Sequence, residues 1–165
     1  MKKVSIILLA LILTLLCANL SMAAGDQSVT VNPFGLLFGQ LNGQYEKSLG
    51  NQGSFLVNGS YISLSYNEKK ITGIGVGGGY RKYLGDERFS GFFAQGTGNV
   101  YFISAPEVSS TTFGITGLGG FKWLFDQGFT VEAGAGVSMV FGKLEGYSGY
   151  GGFGPALALS LGYTW

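Results

Sequence analysis

The chain has 165 residues, 46% of them hydrophobic, with 30 glycines, one cysteine, no histidine, and 10 basic against 9 acidic side chains. Charge this balanced offers no basic face to nucleic acid. The missing histidine rules out a His-activated serine and removes the commonest zinc ligand, so no enzyme activity, metal or cofactor is expected.

Lys2 and Lys3 precede an apolar run over residues 4–16, followed by the small residues Ser21, Ala23 and Ala24. A positive start, a short apolar stretch and a small-residue exit describe a secretory signal peptide. The run falls short of the roughly 20 residues a helix needs to cross a bilayer. Residues 1–24 are therefore expected to be cleaved, leaving residues 25–165 as one domain. Cys17 would leave with the leader, because Leu16 before it does not suit a lipoprotein site. Losing Lys2 and Lys3 leaves 8 basic residues against 9 acidic ones.

The remaining sequence alternates with period two. Val29 and Val31 open a short first run. Whether residues 28–33 form a strand of their own is left open, with Asn32-Pro33-Phe34-Gly35 as a turn signal after them. Leu37, Leu41 and Tyr45 then oppose Gln40, Asn42, Gln44 and Glu46. Residues 55–66 are strand-like but change phase: Phe55, Val57 and Tyr61 share one parity, Ile62, Leu64 and Tyr66 the other. A bulge between Asn58 and Tyr61 would reconcile them. Ile74, Val76 and Tyr80 oppose Gly75, Gly77, Gly79 and Arg81. Phe92, Ala94, Val100 and Phe102 oppose Gln95, Thr97, Asn99 and Tyr101. Phe113, Ile115, Phe121 and Trp123 oppose Thr116 and Lys122. The run from Phe129 to Phe141 places Val131, Ala133, Ala135, Val137 and Met139 opposite Thr130, Glu132, Gly134, Gly136 and Ser138. The last places Leu157, Leu159, Leu161, Tyr163 and Trp165 opposite Ala156, Ala158, Ser160, Gly162 and Thr164.

Aromatics gather at the ends of these runs and small residues in their middles, as in membrane β-strands whose rings sit at the headgroup level. The spacing predicts an all-β fold: a transmembrane antiparallel up-and-down barrel, of eight strands once the first run is counted. Its terminal aromatic and the aromatic two residues earlier resemble the insertion signal of bacterial outer-membrane proteins, carried here by Leu161, Tyr163 and Trp165. That implies location in the outer membrane of a Gram-negative envelope, with lipid and the barrel-insertion machinery as partners; a monomer is expected. Periplasmic connections are then expected over residues 47–53, 85–89 and 125–128. Outer ones are expected over residues 67–70, 104–110 and 143–151, two of them longer than the typical inner one. Tyr147 and Tyr150 lie in the last of these.

Parity sends four charges inward: Glu46, Arg81, Lys122 and Glu132, all toward the periplasmic end. Two of each sign can neutralise one another, either as a plug that fixes register or as a gate whose pairs exchange. The cations beside Glu46 and Glu132 disfavour a general acid there, and Asp86 with Glu87 reads as a solvated turn. Inward glycines, among them Gly75, Gly77, Gly79, Gly114, Gly134 and Gly136, either leave a small water-filled cavity or make room for large neighbours such as Phe93 and Tyr101. No helix follows the Gly-rich segment 73–79, so it is no phosphate loop.

Val31-Asn-Pro-Phe-Gly-Leu-Leu-Phe-Gly-Gln-Leu-Asn-Gly-Gln-Tyr-Glu46 resembles the opening of an uncharacterised, porin-like family of small bacterial outer-membrane barrels, with its Asn-Pro-x-x-Leu-Leu-x-Gly segment and Tyr-Glu pair. Gly79-Tyr80-Arg81-Lys82-Tyr83 resembles that family's Gly-Tyr-Arg-x-Tyr segment, while Gly43 stands where an apolar residue is usual. The resemblance implies an eight-stranded barrel similar to the outer membrane protein A/X type, without known catalytic residues. Two roles follow as expectations: a structural or interaction barrel of the envelope with a plugged lumen, or a narrow gated channel for ions or small solutes.

Overall fold

A computed structural model describes residues 25–66, 69–105, 108–142 and 152–165. The expected signal peptide, Tyr147 and Tyr150 lie outside them. Eight strands, β1 (Gln27–Asn32), β2 (Gln40–Gly50), β3 (Gly53–Tyr66), β4 (Lys69–Tyr83), β5 (Gly91–Ala105), β6 (Val108–Leu124), β7 (Phe129–Phe141) and β8 (Gly152–Thr164), form a closed antiparallel barrel in sequence order. β1 is a separate strand, and its pairing to both β2 and β8 closes the sheet.

The registers fix the geometry. From Thr30 the row of paired residues runs through Gln44, Asn58, Gly77, Asn99, Gly114 and Val140 to Gly152. Thr30 itself faces Gly162, ten residues further along β8. A stagger of ten over eight strands tilts the strands and narrows the interior to a bore that side chains can fill.

Alternation does the rest. Ile74, Val76, Ile115, Val137, Leu157 and Leu161 stand exposed on the outer wall, while Ser28, Thr30, Glu46, Arg81, Lys122, Thr130, Glu132 and Ser160 are buried inside it. An apolar exterior around a polar interior inverts a soluble protein and suits a sheet bathed in hydrocarbon. Near the chain termini the outer aromatics touch in pairs: Phe92 with Phe121 at 4.8 Å, Phe121 with Trp123 at 4.8 Å and Tyr163 with Trp165 at 6.3 Å. Phe102, Phe113, Phe141 and Phe153 lie exposed near the other rim.

Four local expectations change, the first being that the connection expected over residues 47–53 narrows to Asn51 and Gln52, because β2 runs to Gly50 and β3 starts at Gly53. β3 carries no bulge, since its pairing to β4 is continuous from Gly53 to Tyr66. Ile62 points inward and packs with buried Ile71 and Ile103, so apolar residues on the inner face there fill the bore. The irregularity falls instead between Ser48 and Gly50, beside the tight turn at Asn51 and Gln52, whose φ values of 46° and 64° suit a hairpin turn. Leu37 lies outside β2, in a 3-10 turn over Pro33–Phe38 that Asn32 caps by accepting from the Gly35 N–H and that ends at Gly39 with φ 71°. The connection expected over residues 104–110 is mostly strand, because β5 reaches Ala105 and β6 starts at Val108. Period two persists there, with Ser109 and Thr111 exposed and Thr112 buried, polar as a strand end outside lipid can be.

Candidate functional site: a charged cluster in the barrel

Glu46, Arg81, Lys122 and Glu132 project from β2, β4, β6 and β7, and only long side chains based on separate strands can meet on the axis. The structure brings all four together near the end that holds both termini. Arg81 Nη1 lies 2.9 Å from Glu46 Oε2 and 2.9 Å from Glu132 Oε1, and its Nη2 lies 3.1 Å from Glu132 Oε2. The guanidinium thus grips Glu132 with both arms, the geometry that makes arginine–carboxylate pairs strong. Lys122 Nζ lies 2.8 Å from Glu46 and 3.1 Å from Glu132. Each cation touches both anions.

Neutral groups complete the set. Lys122 donates its third bond to Ser28 Oγ at 2.9 Å, and Thr164 donates to the same oxygen. Arg81 donates from Nε and Nη2 to Gln95 Oε1 at 2.9 and 2.6 Å. Tyr83 donates to Glu46 Oε1 at 2.9 Å. Seven of the eight strands, all but β3, supply a side chain whose bonds within this set are given above. β3 contributes fully buried Leu56 and, opposite Arg81, buried Ser54. The four charges are at most 3% exposed. Burial on this scale is tolerable because the net charge is zero and donors meet acceptors.

Aromatic rings seal the cluster. Arg81 sits 4.0 Å from the Phe93 ring centroid and Lys122 sits 4.9 Å from that of Phe89. Tyr83 meets Phe89 and Phe93 edge to face. Gln95 and Tyr83 share the inward parity of Arg81, so the period-two pattern contains them. Phe89 belongs to no strand. It reaches the bore from the β4–β5 turn with φ 57°, and no sequence pattern signals that.

Beyond the cluster, toward the other rim, a cavity of about 440 Å³ is lined by Asn42, Gln44, Asn58, Gln95, Thr97, Asn99 and Tyr101 among others. Both readings of the glycines describe part of the bore. A Cβ on Gly114 would lie 3.0 Å from Tyr101 and one on Gly120 would lie 2.6 Å from Phe93, so these positions make room for rings. The cavity remains beside them, with Thr116 and Leu118 of the same strand in its lining. Asp86 is exposed and accepts a bond from Gln52, as a solvated turn should. Leu161, Tyr163 and Trp165 lie on the outer parity of the last strand, and Trp165 exchanges backbone bonds of 2.9 and 3.0 Å with Gln27. The terminal residue is therefore part of the closing seam.

Two solved structures share this architecture. The outer membrane protein Ail of Yersinia pestis in a phospholipid bilayer nanodisc aligns with a TM-score of 0.54 at 13% identity, over 86% of this chain and 99% of that one. The crystal structure of Ail, named there the attachment invasion locus protein, aligns at 0.50 and 12% identity, over 87% and 100%. Neither the protein-family models nor the curated proteins give a match. At these identities the likeness establishes the fold: this chain is an eight-stranded up-and-down barrel of the kind that Ail adopts.

Proposed function

We propose that the protein is exported through a cleaved signal peptide and stands in a bacterial outer membrane as a monomeric barrel with a structural or interaction role, its lumen closed by the charged cluster. The observation that carries this reading is the completeness of the cluster. Two cations and two anions, each touching both partners, leave no unpaired charge to draw an ion through, and Phe89 and Phe93 stand against them. A role in contact at the cell surface is in keeping with the name of the Yersinia protein that shares the fold. Catalysis forms no part of this reading, since the carboxylates are held by cations and no histidine exists to activate a nucleophile.

The cavity above the cluster favours one second reading, a narrow gated path for ions or small solutes. Planar-bilayer conductance separates the two. A sealed barrel gives a silent record. Reproducible openings whose size or frequency changes in Glu46→Gln or Lys122→Ala would support the gate instead.

A further inference from the structure

Among the described residues, no strand pairs with the upper part of β8 on its β1 side, beside the cavity. β1 ends at Asn32 and its last rung to β8 joins Val31 to Leu161. Residues 152–160 of β8 therefore have β7 on one side and, among the described residues, no strand on the other. Trp165 bonds toward β1 through both its N–H and its C=O. Alternation then turns the backbone groups of Leu159, Leu157 and Pro155 toward the same side, where no described strand pairs with them. Pro155 has no N–H to lose, and a proline suits an unpaired edge. The chain nearest this gap is the 3-10 turn Pro33–Phe38, which lies alongside both β2 and β8 and leaves Phe34, Leu36 and Leu37 exposed.

The cavity reaches the gap. Its lining runs from the luminal amides to Leu157, an outer-face residue that is 80% exposed. Inside, Asn58 Oδ1 is buried without a hydrogen-bond partner. One continuous space thus has the mutually paired Arg81 and Glu132 at its base, neutral donors and acceptors above them, and Leu157 at its outer end.

We propose that this space binds a single-chain amphiphile with an uncharged, hydroxyl-rich head. The head lies among Asn42, Asn58 and Asn99, and the tail leaves sideways between β8 and the 3-10 turn into the surrounding hydrocarbon. The charges in the lining, Arg81 and Glu132, are already paired, and the rest of the polar lining is amide and hydroxyl, which selects a neutral head over a phosphate. A wholly polar solute would leave the Leu157 end empty, and a plain hydrocarbon would leave the amides unpaired. The inference rests on the outer-membrane reading above.

The probe is a dodecyl glucoside carrying a diazirine on its sugar, photolysed with the barrel in nanodiscs and mapped by mass spectrometry. Heat-modifiable migration of the same sample reports the barrel independently, so failure of the membrane reading is distinguishable from failure of this one. The expected result is labelling of Asn42, Asn58 or Asn99. Unlabelled dodecyl glucoside should suppress it, and equal concentrations of glucose should not. Asn58→Leu/Asn99→Leu should lower it about tenfold, the effect of losing roughly 1.4 kcal/mol of hydrogen bonding. Leu157→Asp, at the seam, should lower it as well. Labels confined to outward residues such as Val137 and Leu159, or competition by glucose as strong as by the glucoside, would overturn the proposal. So would a cross-linked second copy paired along β8.

Discussion

Lys122 has three N–H bonds and three acceptors, Ser28, Glu46 and Glu132, at 2.9, 2.8 and 3.1 Å. Such a set is stable as a whole and unforgiving in part. Arg81→Met leaves two buried carboxylates sharing one lysine, and is expected to destabilise the barrel by about 3–5 kcal/mol. Urea unfolding in lipid vesicles measures this. Adding Glu132→Gln restores the charge balance, so the double variant should recover part of the loss, which a double-mutant cycle reads as coupling of about 0.5–3 kcal/mol. Close packing predicts a second effect: Gly120→Val forces a side chain against Phe93 and should cost about 1–3 kcal/mol. Phe93→Leu in the same chain should relieve part of it. Parity alone placed all four charges in the bore, because each sits in a strand that alternates cleanly. Phe89 could not be foreseen, since its position depends on a left-handed turn residue folding its ring back under the barrel.

Strands carry the next level of the argument. β8 was the most legible element, with Leu157, Leu159 and Leu161 outward and Ala158, Ser160 and Gly162 inward. β3 was misread because Ile62 looks like a lipid-facing residue. It faces a local apolar core with Ile71 and Ile103, so burial inside the bore, rather than a bulge, accounts for its phase. β1 is short and has few apolar residues, and only its pairing partners define it. Leu159→Arg puts a charge on the outer wall and should cost about 2–4 kcal/mol if that position lies near mid-bilayer; equilibrium folding into vesicles gives the value. Trp165→Ala is expected to slow assembly by reconstituted insertion machinery, read as the rate at which heat-modifiable product appears. Its folded fraction should still show the normal gel shift.

At the scale of the whole molecule, one physical requirement organises everything else. A sheet in oil must close on itself so that its backbone groups are paired, and must turn apolar side chains outward. The registers meet the first demand with a stagger of ten over eight strands, except that among the described residues no strand pairs with the upper edge of β8. The exposed apolar wall meets the second. A narrow bore follows from the strand number, and the charged cluster is what fits in it. The two tryptophans test the account most directly, because Trp123 and Trp165 both lie on the outward parity near the end that holds the termini. The measurement is quenching of their fluorescence by brominated lipids after folding into vesicles. Strong quenching by bromines near the headgroups, weakening as the bromines move toward the bilayer centre, is the predicted result. Unquenched emission from a protein that stays soluble without detergent or lipid would contradict it.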